Sequence, residues 1–598
     1  MSTTHLDLDY PRPQFRRDDF TSLDGAWGFA IDTTSEGVRD GWFRTPEPFD
    51  RTIAVPFPPE SPASGIGENV DSPIWYRREF EHAPHDGERL LLHFEGVDYA
   101  ASVWVNGVHV GDHEGSQSRF SVDVTDSAVD GSNTIVVRAV DDRSLEQPRG
   151  KQDWQAEPHA IWYRRTSGIW RSVWLERVPT TRLDRLQLTP EADLASVRLE
   201  ARVAGPLAAG IRLELDFHRD GQLLSSTSHE FISGVVRGMP ELVYPGMGVE
   251  PESLWWTPET PVLIDVTARL VRDGEVLDTV QSYVGLRTVA TDSSRVLLNG
   301  RRYFLRLVLE QGYWPETHLA SPSFDALVRE AQLVKELGFN GIRMHQTSAD
   351  PRFLALCDRL GLVVFADTAA AYEFSDLSLS RTVAGMTGLV QRDAGHPSVI
   401  GWVPFNESWG LPNLPIDEAQ REAVLALTAL VKALDPSRLV IGNDGWEFVA
   451  GDLVGVHDYT QSGDVLRERY GTEEAARRTV EQERPGNRVV VIPGSESRAT
   501  GIPVFLSEFG GLSVHDADDA WGGYGEVLTP DDLCARIAEM ATAIGEASGL
   551  AGYCYTQLTD TVQEMNGLLT ETREPKCPPA AIRAAFAGHP EQKRNPGA

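Results

Sequence analysis

The sequence predicts a multidomain chain: a jelly-roll β-sandwich, an immunoglobulin-like β-sandwich and a C-terminal (β/α)8 (TIM) barrel. Three observations carry this. The chain has 598 residues, too many for one core at about 150 residues per domain. Its first half is a succession of short runs of alternating polarity broken by turns, and a period of two marks half-buried strands. From Tyr303 onward apolar runs alternate with amphipathic stretches, which implies parallel strands joined by helical crossovers.

Residues 1–179 contain strand-like runs at 90–94, 101–105 and 134–139. Asn106-Gly107 follows the second run and reads as a hairpin turn, because both residues tolerate positive φ. Residues 180–292 repeat the pattern with runs at 196–201 and 211–217, enough for one immunoglobulin-like sandwich and, with no catalytic pattern, a structural spacer. A hairpin at 297–302 introduces residues 293–598. There, strands are predicted at 303–309, 339–345, 362–367, 399–405, 439–443, 453–458, 503–507 and 550–555, with helices such as 324–337 and 419–434 between them. Eight units in about 290 residues is the size of one barrel.

A hydrophobic fraction of 41% and a charged fraction of 24% suit a water-soluble globular protein. A formal charge of -33 argues against nucleic-acid and anionic-membrane partners, which are themselves polyanions. The four cysteines show no CxxC pair. Cys357 and Cys554 stand in apolar runs as small buried hydrophobes, so a reduced, cytoplasmic protein is the simpler reading. Residues 1–7 show no basic region followed by an apolar stretch, and no apolar run reaches the roughly 18 residues of a membrane span. No metal-ligand cluster is visible and no cofactor is expected; a homo-oligomer is left open.

Two strings, 402–409 and 503–510, carry the chemistry. Each is an apolar run that stops at a carboxylate, Glu407 and Glu508, placing each glutamate at the C-terminal end of a strand, the fourth and the seventh. That is the catalytic face of such a barrel. Two carboxyls across one mouth can divide glycoside hydrolysis, one protonating the leaving oxygen and the other attacking the anomeric carbon.

With Asn406 directly before Glu407 and aromatic residues around it, the chain resembles glycoside hydrolase family 2, the family of β-galactosidases, β-glucuronidases and β-mannosidases. The segments 103–107 and 168–176 are similar to that family's N-terminal sugar-binding domain. The resemblance implies a small carbohydrate substrate and a retaining double displacement with Glu407 as acid/base and Glu508 as nucleophile. It also implies that Asn406 bonds the hydroxyl next to the anomeric carbon. The chemistry needs one carboxyl protonated and the other ionised, about 5 to 5.5 Å apart. Arg343, ending the second strand, can hold the nucleophile by a charge-assisted bond, with His345 two residues on. His457 and Tyr459 end the sixth strand, where a tyrosine hydroxyl can orient the nucleophile. Trp409, Trp446, Trp521 and Tyr555 offer flat apolar faces to a sugar ring.

Substrate choice is read from departures. The segments 307–312 and 343–348 differ from the family's better-known strings. After strand eight, where β-glucuronidases carry an Asn-Lys pair for the sugar carboxylate, this chain has Glu564, Met565, Asn566 and Gly567. Without a lysine there a uronate is disfavoured. Glu310, Gln311 and Asp367 are expected to bind the hydroxyls of a neutral sugar, making a β-galactosidase or β-D-galactofuranosidase the leading reading. The alternatives are an α-L-arabinofuranosidase or β-glucuronidase of the same family, or a non-catalytic carbohydrate-binding protein, against which the intact glutamates argue. Loops 65–69 and 149–154 are candidates to reach the mouth from the first sandwich.

Overall fold

Strands of the first sandwich form on the alternating runs. In a computed structural model describing residues 10–243, 250–514, 524–525 and 529–587, a six-stranded sheet runs Arg51–Val55, Gly25–Ile31, Ile74–His82, Gly131–Val140, Ala100–Val105, Val108–Glu114. It faces a four-stranded sheet of Phe20–Ser22, Val173–Pro179, Glu88–Phe94 and Phe120–Asp123. Trp27, Phe29, Tyr76, Leu92, Phe94, Val103 and Val137 fill the space between. Asn106 and Gly107 take φ of 51° and 78°, the turn geometry expected of them.

The second sandwich packs a three-stranded sheet (Arg182–Pro190, Val197–Ala204, Val235–Gly238) on a four-stranded one (Gln222–Glu230, Ile211–Arg219, Ile264–Arg272, Glu275–Val284). Alternation is strict: Ile211, Leu213, Leu215 and Phe217 are buried and the residues between them are not. The hairpin Val296–Leu298 to Arg301–Tyr303 then leads into the barrel.

Eight parallel strands make the barrel: β1 Leu305–Glu310, β2 Gly341–Met344, β3 Val363–Asp367, β4 Val399–Val403, β5 Leu439–Val440, β6 Val454–His457, β7 Val504–Gly510 and β8 Gly552–Thr556. Their order is β5-β4-β3-β2-β1-β8-β7-β6. Hydrogen bonds from Asp452 N to Val440 O (2.7 Å) and from His457 N to Gly445 O (3.4 Å) tie the β5 edge to the β6 edge. Beyond β4 and β5 two short segments, Phe405–Asn406 and Asn443–Asp444, pair again and carry the strands to the mouth. Leu305, Leu307, Leu309, Val363, Phe365, Phe505 and Cys554 pack together inside the barrel; Val308, Ile342, Val364 and Tyr553 pack with the helices outside. The helices start at real caps, Ser323 for Phe324–Glu336 and Asp417 for Glu418–Leu434.

The expectation of a fully reduced chain is corrected: Cys534 and Cys577 form a disulfide across 43 residues, while Cys357 and Cys554 are free and buried. The pairing brings helix Pro530–Gly545 against the start of helix Pro579–Phe586, which no local spacing announces. Among the described residues no helix is long and apolar enough to cross a membrane.

Candidate active site

Glu407 reaches the mouth through an unusual turn. It and Ser408 both have positive φ, 50° and 55°, a conformation costing non-glycine residues on the order of 1–3 kcal/mol each. The surroundings enforce it: Glu407 N donates to Asp444 O (2.9 Å), Ser408 N to Asn443 Oδ1 (3.1 Å) and Ser408 Oγ to Glu447 Oε2 (2.6 Å). Glu508 enters from β7 and is held from both sides, Oε1 by Arg343 Nη1 at 3.1 Å and Oε2 by the Tyr459 hydroxyl. Oxygens of the two glutamates and a nitrogen of His457 all lie within 4.8 Å of one another. Such closeness suits direct displacement; inversion needs about 6.5–9.5 Å between carboxyls to seat a water.

Two buried cations organise the floor. Arg343 donates to Asp367 (3.1 and 2.9 Å), to Asn406 Oδ1 (2.7 Å) and to Glu508, and its Nη1 lies 2.5 Å from Asp444. His457 bridges Glu407 Oε1 at 2.7 Å, Asp444 Oδ2 at 3.2 Å and Glu508 Oε1 at 3.4 Å. Burial pulls its pKa down, but Glu508, Asp444 and Glu407 prevail and raise it to about 10, so it is an imidazolium at neutral pH. With a proton on each nitrogen it can donate to Glu407 on one side and to Asp444 on the other. Burial, reinforced by Glu407 against His457 and Arg343, raises the Glu508 carboxyl. Burial likewise raises Asp367 to about 6, while Arg343 pulls it down. For Asp444 burial loses to Arg343 and His457, which hold it well below the ordinary range. Burial, Arg343 and Lys151 keep His345 neutral, its Nδ1 2.8 Å from Asp367. Asn406 Nδ2 is buried without a partner, a donor left for a ligand.

The side wall is a hydrogen-bonded ribbon. Gln311 Nε2 donates to Gln557 Oε1, Gln557 Nε2 to Asn566 Oδ1 (2.7 Å each), Asn566 Nδ2 to Glu564 Oε1 (3.0 Å) and the Tyr163 hydroxyl to Glu564 Oε2. Tyr163 belongs to the first sandwich, and so does Lys151, whose Nζ lies 3.9 Å from Glu564 and 5.4 Å from the Trp409 ring centroid. The loop carrying Lys151 is fastened to the barrel by Arg149 N and Gly150 N donating to Ala370 O (3.0 and 3.1 Å) and by Tyr372 Oη donating to Gly150 O (2.5 Å). Trp154, Trp162, Tyr372 and Trp409 form a contiguous aromatic rim with centroids 4.8 to 6.4 Å apart.

Three family descriptions match in tandem: the sugar binding domain of glycosyl hydrolases family 2 over residues 20–179, the family 2 central domain over 181–287 and the family 2 TIM barrel domain over 289–461. The chain belongs to glycoside hydrolase family 2. It is a glycosidase, and its two-glutamate mouth is that of a retaining one. A β-glucuronidase of Canis lupus familiaris is 28% identical over 501 residues, 75% of this chain and 73% of that protein. A β-galactosidase of Thermoanaerobacter pseudethanolicus is 29% identical over 346 residues, 56% of this chain and 44% of its own. Among solved structures, a β-glucuronidase from Ruminococcus gnavus in complex with D-glucuronic acid superposes with a TM-score of 0.76 at 18% identity, covering 96% of this chain and 99% of that one. A family 2 β-galacturonidase from Eisenbergiella tayi bound to galacturonate does so at 0.74 and 20%, covering 97% and 99%.

Of the residues singled out from the sequence, this family 2 enzyme brings Glu407, Glu508, Asn406, Arg343, His345, His457, Tyr459, Asp367, Gln311 and Trp409 together. Two expectations are corrected. Glu310 follows the even-numbered, outward face of β1 and lies in the field of Glu330 and Arg573, where burial and Glu330 raise it to about 8. Tyr555 faces outward from β8, its ring against Phe509 and Phe586. Trp446 is half-buried with Arg488 over its ring, 4.0 Å from the centroid. Trp521 lies outside the described residues. Asp444, Gln557, Tyr163 and Lys151 were not foreseen as site residues, although Lys151 falls in the 149–154 loop that the sequence put forward; Glu564 and Asn566 stand in the segment after strand eight on which the neutral-sugar expectation rests. In loop 65–69 Glu68 pairs with Arg51 at 2.9 Å, while Gly67 and Asn69 line a cavity with Asp153 and Tyr163.

Proposed function

We propose that this enzyme is an exo-glycosidase releasing a neutral terminal sugar of the galactoside type, in pyranose or furanose form. In this reading the Glu508 carboxylate, positioned by Arg343 and Tyr459, attacks the anomeric carbon and forms a glycosyl ester. Glu407 gives a proton to the departing oxygen, then takes one from the water that hydrolyses the ester. His457 Nδ1 lies 2.7 Å from Glu407 Oε1, within reach to hand it that proton. The observation that carries the neutral sugar is Glu564: a buried carboxylate stands after strand eight and faces Lys151 across 3.9 Å, so the cation in the mouth already has a counter-charge.

A second reading, a uronide-cleaving enzyme, is favoured by the same Lys151 and by relatives whose names are β-glucuronidase. A panel of nitrophenyl glycosides in both ring forms separates the two. The expected result is a kcat/KM for a galactoside, galactofuranoside or arabinofuranoside at least about a hundredfold above the glucuronide and galacturonide, since a uronate set against Glu564 carries a penalty of ~3 kcal/mol. Comparable or faster uronide cleavage would reverse the choice. Roles are tested with azide: Glu508→Ala should regain turnover with inverted product, and Glu407→Ala should spare glycosylation by substrates with good leaving groups. Rescue of the Glu407 variant through inverted product would exchange the assignments.

A further inference from the structure

We infer that Lys151 and Glu564 act as one sugar-selecting pair, in which Glu564 masks a lysine that would otherwise bind a substrate carboxylate. The inference rests on the neutral-sugar reading and adds the residues that enforce it. Lys151 is buried, 6% exposed, and is delivered by the sandwich loop. An ammonium has three donors. Ile161 O takes one at 3.1 Å, and Nζ otherwise sits over the rings of Tyr163 (5.3 Å) and Trp409 (5.4 Å) with Glu564 Oε2 at 3.9 Å, beyond hydrogen-bond length. Lys151 therefore keeps donors to offer.

Its neighbours lead to the mouth: Nζ lies over the Trp409 ring and its charge acts on His345. Trp409 is two residues from Glu407 and meets the His345 ring edge-on at 6.0 Å. Glu564 is fixed opposite by Asn566 and Tyr163, and its field reaches Tyr524 together with those of Glu407 and Glu508. Tyr524 stacks on Tyr459, the tyrosine that bonds Glu508. A sugar between Glu407 and Glu508 thus has an ammonium and a carboxylate at its rim, a matched donor and acceptor for neighbouring hydroxyls. A carboxylate in place of a hydroxyl would gain Lys151 and meet Glu564 at once. With Glu564 made neutral, only the attraction remains.

The test measures inhibition of the full-length enzyme by galacturonate and by galactose, in wild type, Glu564→Gln, Lys151→Gln and the double variant. Gln at 564 keeps one acceptor for Asn566 Nδ2, and its amide can turn the second contact round by donating to the Tyr163 hydroxyl oxygen. Glu564→Gln should improve galacturonate relative to galactose by about tenfold or more, and the double variant should abolish that gain. A ratio that stays within about twofold of wild type in a folded Glu564→Gln protein overturns the inference, as does a gain that survives loss of Lys151. If Glu564→Gln does not fold, Lys151→Gln decides: relative galacturonate affinity should fall by about threefold or more, and an unchanged ratio overturns the pair. Wild type preferring galacturonate outright would sink the neutral-sugar reading instead, and a further gain in Glu564→Gln would still support the masking role.

Discussion

A single imidazole lies between the two glutamates of the mouth, 2.7 Å from Glu407 and 3.4 Å from Glu508. Because three carboxylates raise its pKa to about 10, His457 binds its proton more tightly folded than unfolded, where about 6.5 is ordinary. The stabilisation from that charge is complete below about pH 6.5 and is lost as pH climbs through about 10. His457→Asn should therefore flatten the alkaline fall in stability, a difference on the order of a few kcal/mol across that window. Thermal unfolding of both proteins between neutrality and pH 10 measures it, and parallel curves would show that His457 carries no such charge. The two glutamates were legible because each interrupts an apolar run. Asp444 was not, although it touches both Arg343 and His457. It stands in Asn443, Asp444, Gly445, which reads as an ordinary turn, and only the re-pairing of Asn443–Asp444 with Phe405–Asn406 reveals it as strand.

At the scale of elements, the eight barrel strands all form where the sequence placed them, since each is a short apolar run bounded by breakers. What the period could not supply was facing at the strand ends. Glu310 and Tyr555 follow the outward register of β1 and β8, whereas Arg343 and Asp367 follow the inward one. Expectations for Glu310 and Tyr555 came from proximity in sequence to the mouth, which ignores that alternation. The loop that delivers Lys151 depends on Gly150, with φ of 59° and no room beside it: a Cβ there would stand 2.1 Å from Gln346 O. Gly150→Ala must shift the loop off the barrel, and strain of about 1–3 kcal/mol accompanies the positive φ. The expected outcome is a kcat/KM reduced by about tenfold or more with the fold retained. Full activity in a folded Gly150→Ala protein would mean that the loop's docking is dispensable.

Over the whole molecule, the mouth is a joint construction of sandwich and barrel, and the disulfide closes the part of the barrel that completes it. The 43-residue span between Cys534 and Cys577 contains β8 and, beyond it, Gln557, Glu564 and Asn566, the ribbon that meets Tyr163 and Lys151. Fixing its ends limits the unfolded chain, by ~4 kcal/mol on the loop-entropy account. Helix Pro579–Phe586, just past Cys577, also packs on the barrel through Phe586, whose carbonyl accepts from the Tyr553 hydroxyl at 3.1 Å and whose ring lies 4.8 Å from Phe339. Packing alone should therefore keep the reduced fold assembled at low temperature. Reduction, or Cys534→Ser with Cys577→Ser, should lower the unfolding temperature by several degrees. It should also raise KM more than it lowers kcat, because the tied span carries the ribbon that the proposed function sets against the sugar, while Glu508 stands on β7 and Glu407 follows β4. Thiol titration of the unfolded protein fixes the starting state: two reactive thiols with the bridge intact, four once it is reduced. Equal unfolding temperatures and equal kinetics in the two states would show that the cross-link contributes nothing to the wall it encloses.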